Sequence, residues 1–255
     1  MTQEIYLEEP IDKNLLDLYI VSYGSGVRYL KHPYLFDFIM GDLDDEIPES
    51  FKATMVPEKA RDSVKTFADL YVYRINDRRE RIKKAAEERA WMKVFMLLPK
   101  PYRLTWLQNN KHLFEDKVKY YEFLKDAWTQ AEFPMQAYYS NEEALIEFYH
   151  FDEPQLMMNE EERDLMENLP QQVTIYRGIR VVDELDEENL GLSYTLSREK
   201  AEWFAKRFAN VRGAKAMLVE ATIDKDDILS VFLERDEDEV LVNPDKVKIV
   251  EITEL

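Results

Sequence analysis

The chain has 255 residues, enough for one substantial core or two small ones, so folding requires no disulfide or metal staple. A hydrophobic content of 45% with 13% aromatics excludes wholesale disorder despite 34% charged residues. Acids outnumber bases 52 to 34, a formal charge of −18, which opposes non-specific binding to nucleic-acid phosphates or anionic lipid. Partners are therefore expected to be basic or neutral, with nucleic acid disfavoured, although the same acidity also serves plain solubility.

There is no Cys, and His32, His112 and His150 lie far apart in sequence, so neither a disulfide framework nor a metal site is expected. The opening residues carry no basic n-region or apolar h-region, and no apolar run approaches membrane-spanning length. A cytoplasmic protein with no membrane partner is the expectation.

Residues 13–169 carry apolar positions at three- and four-residue spacing and few β-branched clusters, which predicts a mainly helical region. Val64, Phe67, Ala68, Tyr71 and Ile75 fit one face of a helix that begins after Pro57 and runs towards Leu98, where Pro99 and Pro101 stop it. Val118, Tyr121, Phe123, Leu124 and Trp128 predict another, ending before Pro134. Ser140 and Asn159 each look like a cap followed by acids at the positive end of a helix. After Pro170 the texture changes: 173–177, 214–223, 239–242 and 247–252 read as strands, and Ser197 caps a helix with an Ala201, Phe204, Ala205, Phe208 stripe.

Gly24-Ser25-Gly26 begins like a dinucleotide fingerprint, but its third glycine position is Tyr29 and no βαβ pattern follows, so it reads as a turn. The basic stretch 74–84 contains Asp77 with Arg81 and Glu80 with Lys84 at i,i+4, which predicts a self-paired solvated face. A docking surface for an acidic partner or RNA is the competing reading.

Three weak signals stand in a fixed order in the C-terminal third: Tyr176-Arg177-Gly178 ending a strand, Ser193-Tyr194-Thr195 opening a second, and Glu237-Asp238-Glu239-Val240-Leu241 beginning a third. Singly, each suits an ion pair, strand filler or a solvated turn. In this order, with Ala201-x-x-Phe204-Ala205 after the second, they resemble the Arg-Ser-Glu class of mono-ADP-ribosyltransferases, which includes clostridial-type toxins and many bacteriophage-encoded transferases. The family's Arg falls on Arg177 and its Glu-x-Glu on Glu237 and Glu239. Its Ser-Thr-Ser falls on Ser193-Tyr194-Thr195, which departs from it at the second and third positions. The Tyr-Arg-Gly, Leu-Ser-Tyr-Thr and Asp-Ile-Leu phrases look most like the phage versions.

The resemblance implies an α+β fold in which a helical N-terminal lobe (1–115) selects the target and is packed on a split-sheet catalytic module (116–255). It implies NAD⁺ as substrate, no metal, and a basic host protein as target with arginine the favoured acceptor, in the host cytoplasm if the chain is phage-encoded. It implies catalytic roles for Arg177, Ser193, Glu237 and Glu239, and NAD⁺ contacts from Arg177, Gly178, Ser193, Thr195 and Glu239. Glu239 would stabilise the oxocarbenium-like cation that develops when the nicotinamide–ribose bond breaks. Arg177 would hold phosphate or ribose oxygens with its fork. Gly178 would let backbone approach the nicotinamide amide, Ser193 would orient Glu239, and Glu237, on the same strand face as Glu239, would serve the acceptor. Two alternatives stay open: a non-catalytic acidic inhibitor of a basic or nucleic-acid-binding protein, and an NAD⁺ glycohydrolase.

Overall fold

A computed structural model, which describes residues 4–22, 26–130, 153–181, 190–207 and 214–255, shows an α+β protein. The chain divides into two compact units, Met1–Asn141 and Glu142–Leu255. The boundary expected after residue 115 therefore falls inside the first unit, in which α6 (Lys117–Gln130) packs against α5 (Arg103–Asn109). The helix expected after Ser140 lies outside the described residues. None of the described helices is long and apolar enough to cross a membrane.

The first unit is not helical throughout. After α1 (Lys13–Leu16), strands β1 (Ile20–Ser22), β2 (Arg28–His32) and β3 (Leu35–Phe38) form an antiparallel sheet in that order. Leu30, His32 and Leu35 point into the core, whereas Phe36 and Phe38 face outwards and flank Tyr29 on the outer surface. Apolar residues on both faces hide the two-residue period, which is why 28–38 reads as helix in sequence. Of the Gly24-Ser25-Gly26 turn, only Gly26 is described, with φ at +76°.

The helix predicted from Pro57 to Leu98 is divided. Short α2 (Glu49–Met55) precedes it, and the long helix α3 (Phe67–Glu87) begins only at Thr66, where Thr66 and Asp69 form a reciprocal capping box. Val64 is buried in the turn before that cap. Arg89, with φ at +54°, breaks the chain direction before α4 (Trp91–Leu97). The extended segment 4–11 is fastened by two amides acting as peptide mimics. Asn110 bonds the N–H and C=O of Tyr6, and Asn76 bonds the N–H and C=O of Ile11.

The basic stretch turns inwards. Arg79 Nε donates to the Glu8 carbonyl (2.7 Å), Arg78 to the Tyr34 carbonyl (3.0 Å) and Arg74 to Asp37 (2.7 Å), so these three hold the N-terminal segment and the sheet. Arg81 pairs with Asp77 as expected (3.6 Å). The other pair is replaced: Glu80 is taken by Arg79 and Lys84 by Glu88.

In the second unit, α7 (Glu160–Asn168) follows Asn159 through another capping box. The strands are β4 (Gln172–Val181), β5 (Ser193–Thr195), β6 (Lys215–Asp224), β7 (Ile228–Phe232), β8 (Glu239–Val242) and β9 (Lys248–Glu254). Helix α8 (Arg198–Lys206) starts at Ser197, whose side chain accepts from Lys200 N–H. The six strands form one antiparallel sheet in the order β7-β8-β5-β4-β6-β9. Strand β7 went unread in sequence because Ile228 to Phe232 presents an apolar cluster interrupted only by Ser230, whose hydroxyl donates to the Pro154 carbonyl. The sheet is nearly split. Strand β4 pairs with β6 along its whole length, yet meets β5 at one position, Tyr176 opposite Thr195. Ile175, Val219, Ala221, Val231 and Val240 are fully buried in the core of this unit.

Candidate active site

The seam between β4 and β5 is where the three sequence signals meet. Arg177 follows Tyr176, the β4 half of the joining pair, and Ser193 opens β5. Thr195 lies opposite Glu239 and Ser193 opposite Leu241 in the neighbouring β8. Adjacent strands thus bring together residues separated by up to 62 positions.

Their side chains form a chain of hydrogen bonds. The Arg177 guanidinium donates to the Ser193 carbonyl, and the Ser193 hydroxyl donates to Glu239 Oε1 at 2.5 Å. The serine therefore fixes the carboxylate, and the arginine fixes the serine. One arm of the Arg177 fork is thereby engaged within the protein, while its Nε is buried and has no partner among the described residues. Burial lowers the Arg177 pKa from its ordinary value, while Tyr194 and Glu239 act the other way, and the group stays charged at neutral pH. Its charge lies over the buried Tyr194 ring, 5.8 Å from the centroid, which accounts for an aromatic residue at this position.

Two glycines make room for this arrangement. A Cβ on Gly178 would stand 1.9 Å from the Ala201 carbonyl oxygen and 2.6 Å from the Ala205 nitrogen, so only glycine allows α8 to seat on β4 beside Arg177. Its missing side chain thus serves helix packing, a role the sequence reading did not include. Gly191 was not foreseen. It has φ at +81°, and a Cβ there would lie 3.1 Å from Arg177 Nη2. The only sequence signal was a glycine two residues before Ser193.

Thr195 has a bracing role within the protein, and Glu237 lies elsewhere than expected. The Thr195 hydroxyl donates to the Glu237 carbonyl (2.7 Å) and accepts from Ser197 N–H (3.1 Å), so it braces the turn before β8 and the start of α8. Glu237 is outside the strand: its backbone is helical (φ −102°, ψ −15°) and it sits between Asp236 and Asp238, whose φ values are +56° and +46°. The same-face spacing of a strand therefore does not relate Glu237 to Glu239. Two left-handed non-glycine residues in three positions cost about 1 kcal/mol or more each, and such strain persists only where surroundings enforce it.

The surroundings do enforce it. Leu233 N–H, at the start of the turn, donates to Glu162, a fully buried carboxylate that also accepts from Asn159 N–H. Leu196 N–H donates to the Asp238 carbonyl at the far end. Lys200, from α8, bonds both Asp238 (2.8 Å) and Asp236 (3.0 Å).

The arrangement offers one oriented carboxylate, a neighbouring buried guanidinium and a second carboxylate held in a braced turn. Such a set can stabilise a developing positive charge beside an anionic group. No family model, curated protein or solved structure matches the chain, so what this seam can do is read from its own atoms.

Proposed function

We propose that the protein transfers ADP-ribose from NAD⁺ to a protein acceptor, at the seam formed by Arg177, Ser193 and Glu239. The observation that carries this reading is the continuous Arg177–Ser193–Glu239 linkage across three adjacent strands. Cleavage of the nicotinamide–ribose bond releases neutral nicotinamide and leaves an oxocarbenium-like ribose. A carboxylate held by a serine hydroxyl stabilises that cation more than the ground state. The nucleophilic atom of the acceptor then bonds to the anomeric carbon and gives up its proton.

Arg177, with a buried Nε that has no partner among the described residues, supplies charge for the NAD⁺ diphosphate or adjoining ribose. Glu237 serves the acceptor, which in this reading is an arginine of a basic host protein. The first unit selects that target, and a phage-type effector acting in the host cytoplasm is the setting this implies.

Incubation with labelled NAD⁺ and a bacterial lysate tests the reading. A labelled protein band supports transfer. Free ADP-ribose alone would make the protein a glycohydrolase, and absence of any turnover would leave the acidic, non-catalytic inhibitor. Arg177→Lys should recover little NAD⁺ affinity, because a point charge cannot keep the Ser193 carbonyl and a ligand oxygen together. Wild-type affinity in that variant would remove Arg177 from the binding role.

A further inference from the structure

We propose that Lys200 is a positioning residue that holds Glu237 in place for the acceptor, separately from the fixing of Glu239. This rests on the reading of the seam as a transferase site.

The two glutamates share Thr195, which pairs with Glu239 and donates to the Glu237 carbonyl, but differ in what else holds them. Glu239 lies in β8, paired with Thr195 on one side and Phe232 on the other, and its carboxylate takes the Ser193 hydroxyl. These contacts with Glu239 come from β5 and β7 rather than from α8. Glu237 lies in the turn, flanked on both sides by aspartates in left-handed backbone. Three consecutive acids crowd like charge into one turn, which favours splaying it towards water.

Lys200 counters this from the first turn of α8. Its ammonium bonds the carboxylates on either side of Glu237, Asp236 at 3.0 Å and Asp238 at 2.8 Å. The hydrogen bond with Asp238, helped by that with Asp236, raises the Lys200 pKa above its ordinary value. The lysine and Asp238 are largely covered, whereas Asp236 is almost wholly exposed. Helix α8 is itself seated by the contact of Gly178 with Ala201 and Ala205. The position of Glu237 is thereby referred to the strand that carries Arg177.

Loss of Lys200 should then release Glu237 and leave Glu239 alone. The test uses the full chain, with nicotinamide release in the absence of acceptor as one readout and transfer to agmatine, a small guanidine acceptor, as the other. Lys200→Met should lower kcat for transfer by about a hundredfold, the scale of a mispositioned acid–base group. NAD⁺ KM and acceptor-free cleavage should stay close to wild type. Lys200→Arg should restore transfer, since it returns a cation to both aspartates. Asp238→Asn, which tolerates left-handed backbone but lacks the charge, should reproduce Lys200→Met, and the double variant should be no worse than either.

Transfer at the wild-type rate in Lys200→Met, or a parallel fall of cleavage and transfer tracking Tm, would overturn the proposal. If the wild-type protein cleaves no NAD⁺, the transferase reading fails. The clamp is then judged by amide hydrogen exchange alone: residues 234–239 should exchange faster in Lys200→Met with β4 and β6 unchanged, and an unchanged turn would overturn the clamp as well.

Discussion

The two units use arginine in opposite ways. In the first, Arg74, Arg78 and Arg79 form the most conspicuous cationic run of the sequence, yet each bonds a neighbouring carboxylate or carbonyl and holds the N-terminal segment or the small sheet in place. In the second, Arg177 is separated along β4 from the other strand arginine, Arg180, and it reaches the serine that orients a glutamate. Density of charge along the chain thus misdirects attention, because helix neighbours and an extended segment are always close enough to absorb it. Convergence of isolated polar residues across strands requires the fold to bring them together, and is the more informative sign.

Substitutions can break this contrast, the severest in the second unit. Glu239→Gln should remove NAD⁺ cleavage and transfer together, by about a hundredfold to a thousandfold, because every product passes through the same cation. Cleavage by the variant at the wild-type rate, measured as nicotinamide release, would end the assignment. Glu237→Gln should lose transfer to agmatine and keep cleavage, and loss of both would merge the two carboxylates into one role.

Gly178→Ala should destabilise the second unit by at least about 3 kcal/mol in chemical denaturation, since backbone of α8 rather than a movable side chain occupies the space. Gly191→Ala should cost less, about 1–2 kcal/mol for its left-handed φ, with reduced NAD⁺ affinity as Arg177 is displaced. A silent Gly178→Ala would show that α8 does not seat as described.

The first unit should respond to acid rather than to substrate. His32 is fully buried, and Tyr34 N–H donates to its Nδ1 at 3.0 Å, which requires that nitrogen unprotonated. Burial lowers its pKa from 6.5 to about 4. The unfolded chain therefore takes up a proton that the folded chain refuses, so stability falls as pH drops from about 6.5 to 4, by up to about 1.4 kcal/mol per pH unit. Below that window both states are protonated and the slope ends. Denaturation of wild type and His32→Gln across this range should show the slope only in wild type. Least of all should come from Arg81→Ala and Lys84→Ala, whose pairs are exposed, with changes of about 0.5 kcal/mol or less.

Capped helices and strands β4, β6, β8 and β9 were legible in the sequence. Asn159, Ser197 and the Ala201–Ala205 stripe behave as local rules require, and 173–177, 214–223, 239–242 and 247–252 lie on strands apart from residues 214 and 247 at their edges. The sheet at 20–38 was not, because Phe36 and Phe38 cover its outer face and erase the alternation. At the candidate site, Arg177, Ser193 and Glu239 were singled out by their order along the chain, and hydrogen bonds link them. Gly191, Lys200 and Glu162 were not, since each matters through a partner far along the chain: Gly191 through Arg177, Lys200 through Asp236 and Asp238, Glu162 through Leu233. A local rule also misplaced Glu237, because strand alternation was assumed where two left-handed residues bend the backbone.

The single pairing of Tyr176 with Thr195 makes the sheet a jointed plate: β4, β6 and β9 on one leaf, β7, β8 and β5 on the other. Arg177 rides on the first leaf, Ser193 and Glu239 on the second, and the Arg177–Ser193 bond is a stitch beside the joint. Any molecule gripped by Arg177 and Glu239 together adds a second stitch across it. Part of the work of such a ligand is mechanical, stiffening the joint as it binds, and slowed amide exchange at residues 193–195 is where that stiffening would register.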